Sequence, residues 1–172
     1  SFLDGLTAKV WRTYNASLLF QKELDKVREE KVQEIDPNER LNYLIAMFNQ
    51  ANTSVALLCN HQKSTNNSLD KLLSKMDAKL KEMKKKKAKY VEKKNHIKAK
   101  AIEIKIKTLR LKKDTKKKLK NVSLGTSRDN YIDPRLIFSF IKKYSSPPEK
   151  LFTQKLLKRF EWASSVDKDY RF

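Results

Sequence analysis

The chain has 172 residues, with 40 Lys and Arg against 20 Asp and Glu, and a formal net charge of +20. This charge points to a polyanionic partner, nucleic acid before membrane. The single cysteine excludes an intramolecular disulfide, the two separated histidines disfavour a metal site, and the two glycines exclude a Gly-rich phosphate loop. No apolar run approaches the roughly 20 residues that span a bilayer, so neither a membrane span nor a metal or cofactor is expected.

Residues that break helices are rare in the chain. It contains two glycines and four prolines, no strand-like alternation of useful length, and many Leu, Lys, Glu and Ala residues, which favour helices. The composition therefore predicts an all-α fold. Changes in apolar spacing and in charge divide the chain into three predicted domains, residues 1–68, 69–121 and 122–172.

The first predicted domain contains two helical patterns. Apolar residues recur at roughly helical spacing over residues 17–35. Asp36 and Pro37 then mark a new helix, because Asp36 can cap it and Pro37 can take its first position. That helix carries apolar residues at three- and four-residue steps and is expected to end near Asn60. A polar loop is expected at residues 63–68.

The second predicted domain is a basic linker. Residues 70–120 carry 22 Lys and Arg against 6 Asp and Glu, which is most of the excess charge. Sparse apolar residues at three- and four-residue steps fit a coiled-coil seam. We expect two helices that fold back into a protruding antiparallel hairpin, with the bend between Lys86 and Asn95. The alternative is one long exposed helix or partial disorder, because lysine runs repel themselves.

The third predicted domain is a small helical unit. Asp133 and Pro134 are a cap and a first helical residue, and further helices are expected from Ser146–Glu149 and over Thr153–Ser164. About 50 residues are too few for an independent core, so this domain is expected to pack against the first. The side chains expected to be buried are Cys59, Trp11, Trp162, Phe138, Phe140 and Phe160.

Three sequence blocks resemble the eukaryotic type IB DNA topoisomerases. Residues 124–135 read LGTSRDNYIDPR, which is similar to the active-site tyrosine box of that family. Residues 6–17, LTAKVWRTYNAS, resemble its arginine block, and residues 56–62, ALLCNHQ, its histidine block. Along the chain the blocks occur in the family's order, and a charged linker lies between the histidine block and the tyrosine box. The resemblance covers essentially the whole chain.

The resemblance implies a covalent mechanism of DNA relaxation. Tyr131 would attack the DNA backbone and form a 3′-phosphotyrosine intermediate; after strand rotation, religation would follow without ATP. Arg12 would hold non-bridging phosphate oxygens, a role that suits its planar fork, and His61 would donate a hydrogen bond to one of them. Such chemistry needs a hydroxyl and nearby cations, but no metal or nucleotide.

The resemblance also implies which residues contact duplex DNA. Asn130 precedes the tyrosine where the family has an asparagine, and Arg128 lies in the same box. Asp129 departs from the family pattern and is expected to point to solvent. The lysine run is interpreted from its charge alone: it is either only a solvated helix face or a stretch that tracks DNA phosphates with salt-sensitive affinity. Its members are Lys84, Lys85, Lys86 and Lys87.

A second arginine and a general-acid lysine of the family have no counterpart in this sequence. Both are expected upstream of Ser1, so the chain alone is expected to lack full activity. The implied enzyme is a nuclear monomer that works with the upstream part of its own polypeptide.

Two other functions fit parts of the pattern. A basic coiled-coil module that binds nucleic acid without catalysis explains the charge but not the three blocks. A tyrosine recombinase shares the nucleophile, but recombinases typically place their histidine and second arginine in one motif. Arg12 and His61 lie in separate blocks, which favours the topoisomerase.

Overall fold

The computed structural model describes residues 6–60, 68–118 and 124–172, and these ranges are helical without strands. The all-α prediction is therefore confirmed. The helices are α1 (Ala8–Leu24), α2 (Glu29–Gln33), α3 (Pro37–Leu58), α4 (Ser68–Glu92), α5 (His96–Lys118), α6 (Leu124–Asn130), α7 (Pro134–Lys143) and α8 (Gln154–Arg159). Short 3₁₀ segments cover Pro148–Lys150 and Glu161–Ser165.

The chain forms two compact units. The first comprises Ser1–Lys26, Ala51–His61 and Ser123–Phe172, and the second comprises Val27–Gln50 and Gln62–Val122. Helix α3 contributes its first part to the second unit and its last part to the first. The predicted domain limits, 1–68, 69–121 and 122–172, remain predictions.

Helices α1 and α7 form the centre of the first unit. Thr7 caps α1 by accepting the N–H of Val10 at 3.3 Å, and Asp133 caps α7 by accepting the N–H of Arg135 at 2.9 Å. Helix α7 contacts both α1 and the 3₁₀ segment Glu161–Ser165. The expected packing of the C-terminal residues against the first helices is thus confirmed.

The core of the first unit is rich in aromatic and branched side chains. Phe20 and Ile137 are fully buried. Phe152 packs against Phe138 and Phe160, with ring centroids 5.4 and 5.8 Å apart. The other buried apolar residues of this unit are Ala16, Ala51, Val55, Ala56, Ile132, Leu136, Phe140, Ile141, Leu151, Leu156 and Ala163.

Both tryptophans contradict the expectation of burial. Trp11 is 54% exposed and Trp162 is 62% exposed. Trp11 lies nine residues before the buried Phe20, which is about half a turn around the helix at 3.6 residues per turn. Trp162 lies on a 3₁₀ segment whose buried position is taken by its neighbour Ala163.

The second unit contains a helical hairpin. Helices α4 and α5 are joined by the turn at residues 93–95, where Lys94 has a φ of 54° and Asn95 accepts the N–H of Lys98 at 3.1 Å. Lys87 pairs with Glu103, and Asp77 with Lys113. In each pair, one residue precedes Asn95 by as many residues as the other follows it, so the two helices run antiparallel. Coiled-coil packing and protrusion of this hairpin remain predictions.

The hairpin is anchored to the rest of its unit by charge and by a small apolar seam. On α5, Lys100 pairs with Glu34 at 3.5 Å and Lys105 with Glu39 at 3.3 Å. Arg40 closes the end of α2 by donating to three backbone carbonyl oxygens. The buried apolar residues of the hairpin are Met76, Leu80, Ala99 and Ile106.

Apolar spacing alone overstates how much of the hairpin is buried. Leu72 is 39% exposed and Ile97 is 85% exposed, although both belong to the apolar pattern. Within the described ranges, the helices lack the combination of length and apolarity that a bilayer span requires.

Replacement of Leu80 by Ala should destabilise the second unit by about 2–5 kcal/mol, because Leu80 is 8% exposed and its removal leaves a cavity. Leu72→Ala on the same helix is the matched control and should cost less than Leu80→Ala, since Leu72 is already 39% exposed. Urea unfolding followed by circular dichroism measures both. Equal losses for the two variants would contradict the packing described here.

Candidate active site

Tyr131 lies in a tight connection between two helices. Helix α6 ends at Asn130, and the N–H groups of Tyr131 and Ile132 both donate to the carbonyl oxygen of Ser127, at 2.9 and 3.1 Å. Two residues later Pro134 opens α7. Proline disfavours a helical conformation in the residue before it, so α6 cannot simply continue into α7.

One buried polar side chain holds the beginning of α6, and another holds the connection itself. Asn52 of α3 is 1% exposed and donates to the carbonyl oxygen of Leu124 at 3.3 Å, at the beginning of α6. Ser17 of α1 is fully buried; its hydroxyl donates to the carbonyl oxygen of Tyr131 at 3.4 Å and accepts the N–H of Asp133 at 3.0 Å. Neither residue was predicted from the sequence: Asn52 lies outside the three blocks, and Ser17 ends the arginine block, which gives it no role of its own.

The structure brings Arg12 and Tyr131 together across 119 residues of sequence. A guanidinium N–H of Arg12 donates to the phenolic oxygen at 3.4 Å, and the guanidinium carbon lies 5.5 Å from the centre of the tyrosine ring. Arg12 is exposed and Tyr131 is half-buried. A guanidinium carries five N–H donors, so further donors stay available to an anion beside the phenolic oxygen.

Cys59 lies near the same arginine. Burial raises the pKa of the Cys59 thiol, and the charge of Arg12 acts on that pKa in the opposite direction. A raised pKa keeps the thiol protonated at neutral pH, which makes it a poor nucleophile. Cys59 is half-buried rather than fully buried as expected, because it follows the last residue of α3, where the neighbouring Leu58 is already 54% exposed.

The other polar residues of the tyrosine box contact their own protein. Arg128 donates to the carbonyl oxygen of Leu151 at 2.8 Å and to the carboxylate of Asp129 at 3.4 Å. Asp129 is half-buried and faces its neighbour, whereas it was expected to point to solvent. Asn130 is exposed, and its amide donates to the carbonyl oxygen of Thr126 within α6 at 3.2 Å.

The lysine run lies on α4 of the second unit. Lys86 pairs with Glu82 at 2.6 Å on the same helix, and Lys87 pairs with Glu103 of α5 at 3.1 Å. Lys84 and Lys85 are exposed. Consecutive helical residues point about 100° apart, so the four lysines cannot all face one side of the helix.

His61 and most of the expected polar loop at 63–68 lie outside the described residues. Within the described ranges, no group of three or more His, Cys, Asp and Glu side chains could hold a metal ion.

Comparison with known proteins identifies the family. Residues 1–95 match the family model for the catalytic core of eukaryotic DNA topoisomerase I, and residues 103–172 match that for the C-terminal topoisomerase domain. DNA topoisomerase 1 of Caenorhabditis elegans is 37% identical over 186 residues, which cover 100% of this chain and 22% of the relative.

Other relatives agree. DNA topoisomerase 1 of Drosophila melanogaster is 36% identical over 99% of this chain and 18% of its own length. The Homo sapiens protein of the same name is 33% identical over 99% of this chain and 24% of its length. The chain thus spans about a quarter or less of the curated relatives it matches, and it belongs to the eukaryotic DNA topoisomerase I family.

Proposed function

We propose that the chain supplies the nucleophile of a type IB topoisomerase, an isomerase that relaxes supercoiled duplex DNA without ATP or a cofactor. The observation that carries the proposal is the contact between Arg12 and the phenolic oxygen of Tyr131 in a chain of this family. We place the working enzyme in the nucleus as a monomer that includes further residues of the same polypeptide.

The proposed reaction transfers one phosphodiester bond to the protein and back. The phenolic oxygen of Tyr131 gives up its proton and bonds to a backbone phosphorus. The bond from phosphorus to the 5′ oxygen breaks, and that oxygen leaves as a hydroxyl after taking up a proton. The DNA 3′ end is then joined to Tyr131 while the broken strand rotates about the intact one. Attack by the 5′ hydroxyl reverses the step, so the bond energy is conserved.

Arg12 is proposed to stabilise the negative charge that builds on the phosphoryl oxygens. Tyr131 follows the carbonyl end of α6, and the C-terminal end of a helix carries partial negative charge, which disfavours an anion there. The guanidinium 3.4 Å from the phenolic oxygen supplies the opposite charge. His61 is proposed as a second hydrogen-bond donor to the phosphate, and Asn130 as a neighbouring DNA contact.

The basic hairpin is proposed to add affinity for duplex DNA without reading its sequence. The charge on residues 70–120 is a net +16, and cations that neutralise phosphates release counterions, which makes binding weaken with salt. Lys84 and Lys85 are the most available members of the run, because Lys86 and Lys87 already face carboxylates. Arg128, which contacts Leu151 and Asp129, is proposed as a weaker contributor.

Replacement of Tyr131 by Phe should abolish covalent capture of DNA while leaving DNA binding intact, because only the attacking oxygen is lost. We would join the chain to the upstream catalytic core of the C. elegans relative and measure denaturant-resistant 3′ adducts and plasmid relaxation without ATP. An adduct formed equally by the Phe variant would assign the nucleophile elsewhere. DNA binding without any adduct, even from the unmodified protein, would favour a non-catalytic basic binding module.

Replacement of Arg12 by Ala should slow single-turnover cleavage about 100- to 1000-fold, the usual loss when one preorganised donor to a developing oxyanion is removed. Arg12→Lys should restore only part of the rate, because an ammonium lacks the planar fork of a guanidinium. Lys22→Ala, an exposed cation at the other end of α1, is the matched control and should keep the rate. Equal cleavage rates for the Arg12→Lys variant and the unmodified protein would show that the planar guanidinium is not required.

Replacement of both Lys84 and Lys85 by Gln should lower the slope of log affinity against log salt by up to about two, since each neutralised phosphate contributes about 0.9. Exchange of both for Arg keeps the charge and should keep the slope. Fluorescence anisotropy with a short duplex at several salt concentrations measures it. An unchanged slope in the Gln variant would show that these two lysines do not contact the duplex.

A further inference from the structure

We infer that Ser17 is a positioning residue that sets Tyr131 for attack. This inference rests on the proposed function and deepens it, because it concerns the same tyrosine. Ser17 is fully buried on α1, and it touches the backbone on both sides of Ile132 rather than the phenol itself.

The hydroxyl of Ser17 is used both as donor and as acceptor. It donates to the carbonyl oxygen of Tyr131 at 3.4 Å and accepts the N–H of Asp133 at 3.0 Å. A hydroxyl has one hydrogen to donate and two lone pairs, so a single oxygen can hold both groups. The residue between them, Ile132, is 4% exposed and packs into the core. The backbone that carries the phenol is therefore tied to α1 at two atoms.

The same helix carries the guanidinium. Arg12 precedes Ser17 by five residues, a rise of about 7.5 Å along α1. One rigid element thus holds both the cation beside the phenolic oxygen and the backbone from which the phenol extends. Misplacement of reacting groups by about 1 Å can cost about 100-fold in rate, so this shared support matters for the reaction and not only for folding.

The buried hydroxyl of Ser17 would destabilise the fold if it did not form its hydrogen bonds to Tyr131 and Asp133. A buried hydroxyl without a partner destabilises a fold by about 1–3 kcal/mol, and the other residues of this buried face, Ala16 and Phe20, are apolar. Alanine would fill the position at no such cost. The serine at this point is explained by the two backbone groups of the tyrosine connection that it holds.

Ser17→Ala should slow single-turnover cleavage by about tenfold, which corresponds to about 1.4 kcal/mol in the barrier, with DNA affinity unchanged. The matched control is Ser139→Ala. Ser139 is also buried, on α7 of the same unit, and donates to the carbonyl oxygen of Lys168 at 2.7 Å. That hydrogen bond involves no atom of the tyrosine connection. Ser17→Cys, a similar-sized group with a weak donor and acceptor, should recover part of the rate.

The measurements use the chain joined to the C. elegans relative's upstream core, with a short duplex that traps the cleaved state, and a thermal melt of each variant. Slower cleavage in Ser17→Ala than in Ser139→Ala, at comparable loss of stability and equal affinity, supports the inference. Equal cleavage rates in these two variants would overturn it. If the unmodified protein forms no adduct, the proposed function itself is wrong. If it forms the adduct and the two serine variants cleave equally fast, only the role of Ser17 is wrong.

Discussion

The buried face of α1 is the constraint on which the candidate site depends. Ala16, Ser17 and Phe20 are all withdrawn from solvent, and burying them fixes the rotation of the helix about its axis. Arg12 then lies about a quarter turn from the centre of that face, at the edge where protein meets solvent. From there its guanidinium reaches the phenolic oxygen and remains open to an anion approaching from outside.

This arrangement separates what must be rigid from what must be accessible. The atoms that locate Tyr131 are held by Ser17 below the surface and by the Ser127 carbonyl at the end of α6. The phenolic oxygen and Arg12 lie above them in contact with solvent. A large anion can therefore approach the phenolic oxygen without displacing the backbone hydrogen bonds that hold Tyr131 in place.

The starts of α3 and α7 were predictable because their signals are local, whereas the pattern over residues 17–35 gave neither the start of α1 at Ala8 nor the break between Leu24 and Glu29. Asp36 and Asp133 each precede a proline, and α3 and α7 begin at those prolines. Helix α6 was not predicted, because its seven residues carry no apolar period. Its stability comes from tertiary contacts, the burial of Ser127 and the amide of Asn52, which sequence spacing does not reveal. Hydrophobicity likewise could not place Trp11, since exposure depends on which face of α1 is covered.

The site residues came from motif resemblance and not from physical pattern. No periodicity relates Arg12 to Tyr131. Their proximity follows from tertiary structure: α1 packs on α7, and Ser17 of α1 bonds to the backbone of the connection that carries Tyr131. Ser17 lies at the end of the arginine block, but the resemblance assigns it no role, and a serine in a helix gives no signal until its hydrogen-bond partners are known. The pairing of Lys87 with Glu103 required the register of the hairpin, which the sparse apolar residues do not determine.

The pairing of residues at equal sequence separation from Asn95 restricts which changes of length the basic hairpin can tolerate. Loss of one residue from a single arm would shift every facing residue beyond it by one position and turn that stretch by about 100°. Deleting equal numbers of residues from α4 and α5 keeps the same residues opposite one another. Deleting about seven residues from each helix, which is about two turns, also keeps the same side of each helix facing its partner. Length changes that keep both the facing pairs and the inward face of the hairpin are therefore paired between its two arms and come in discrete steps.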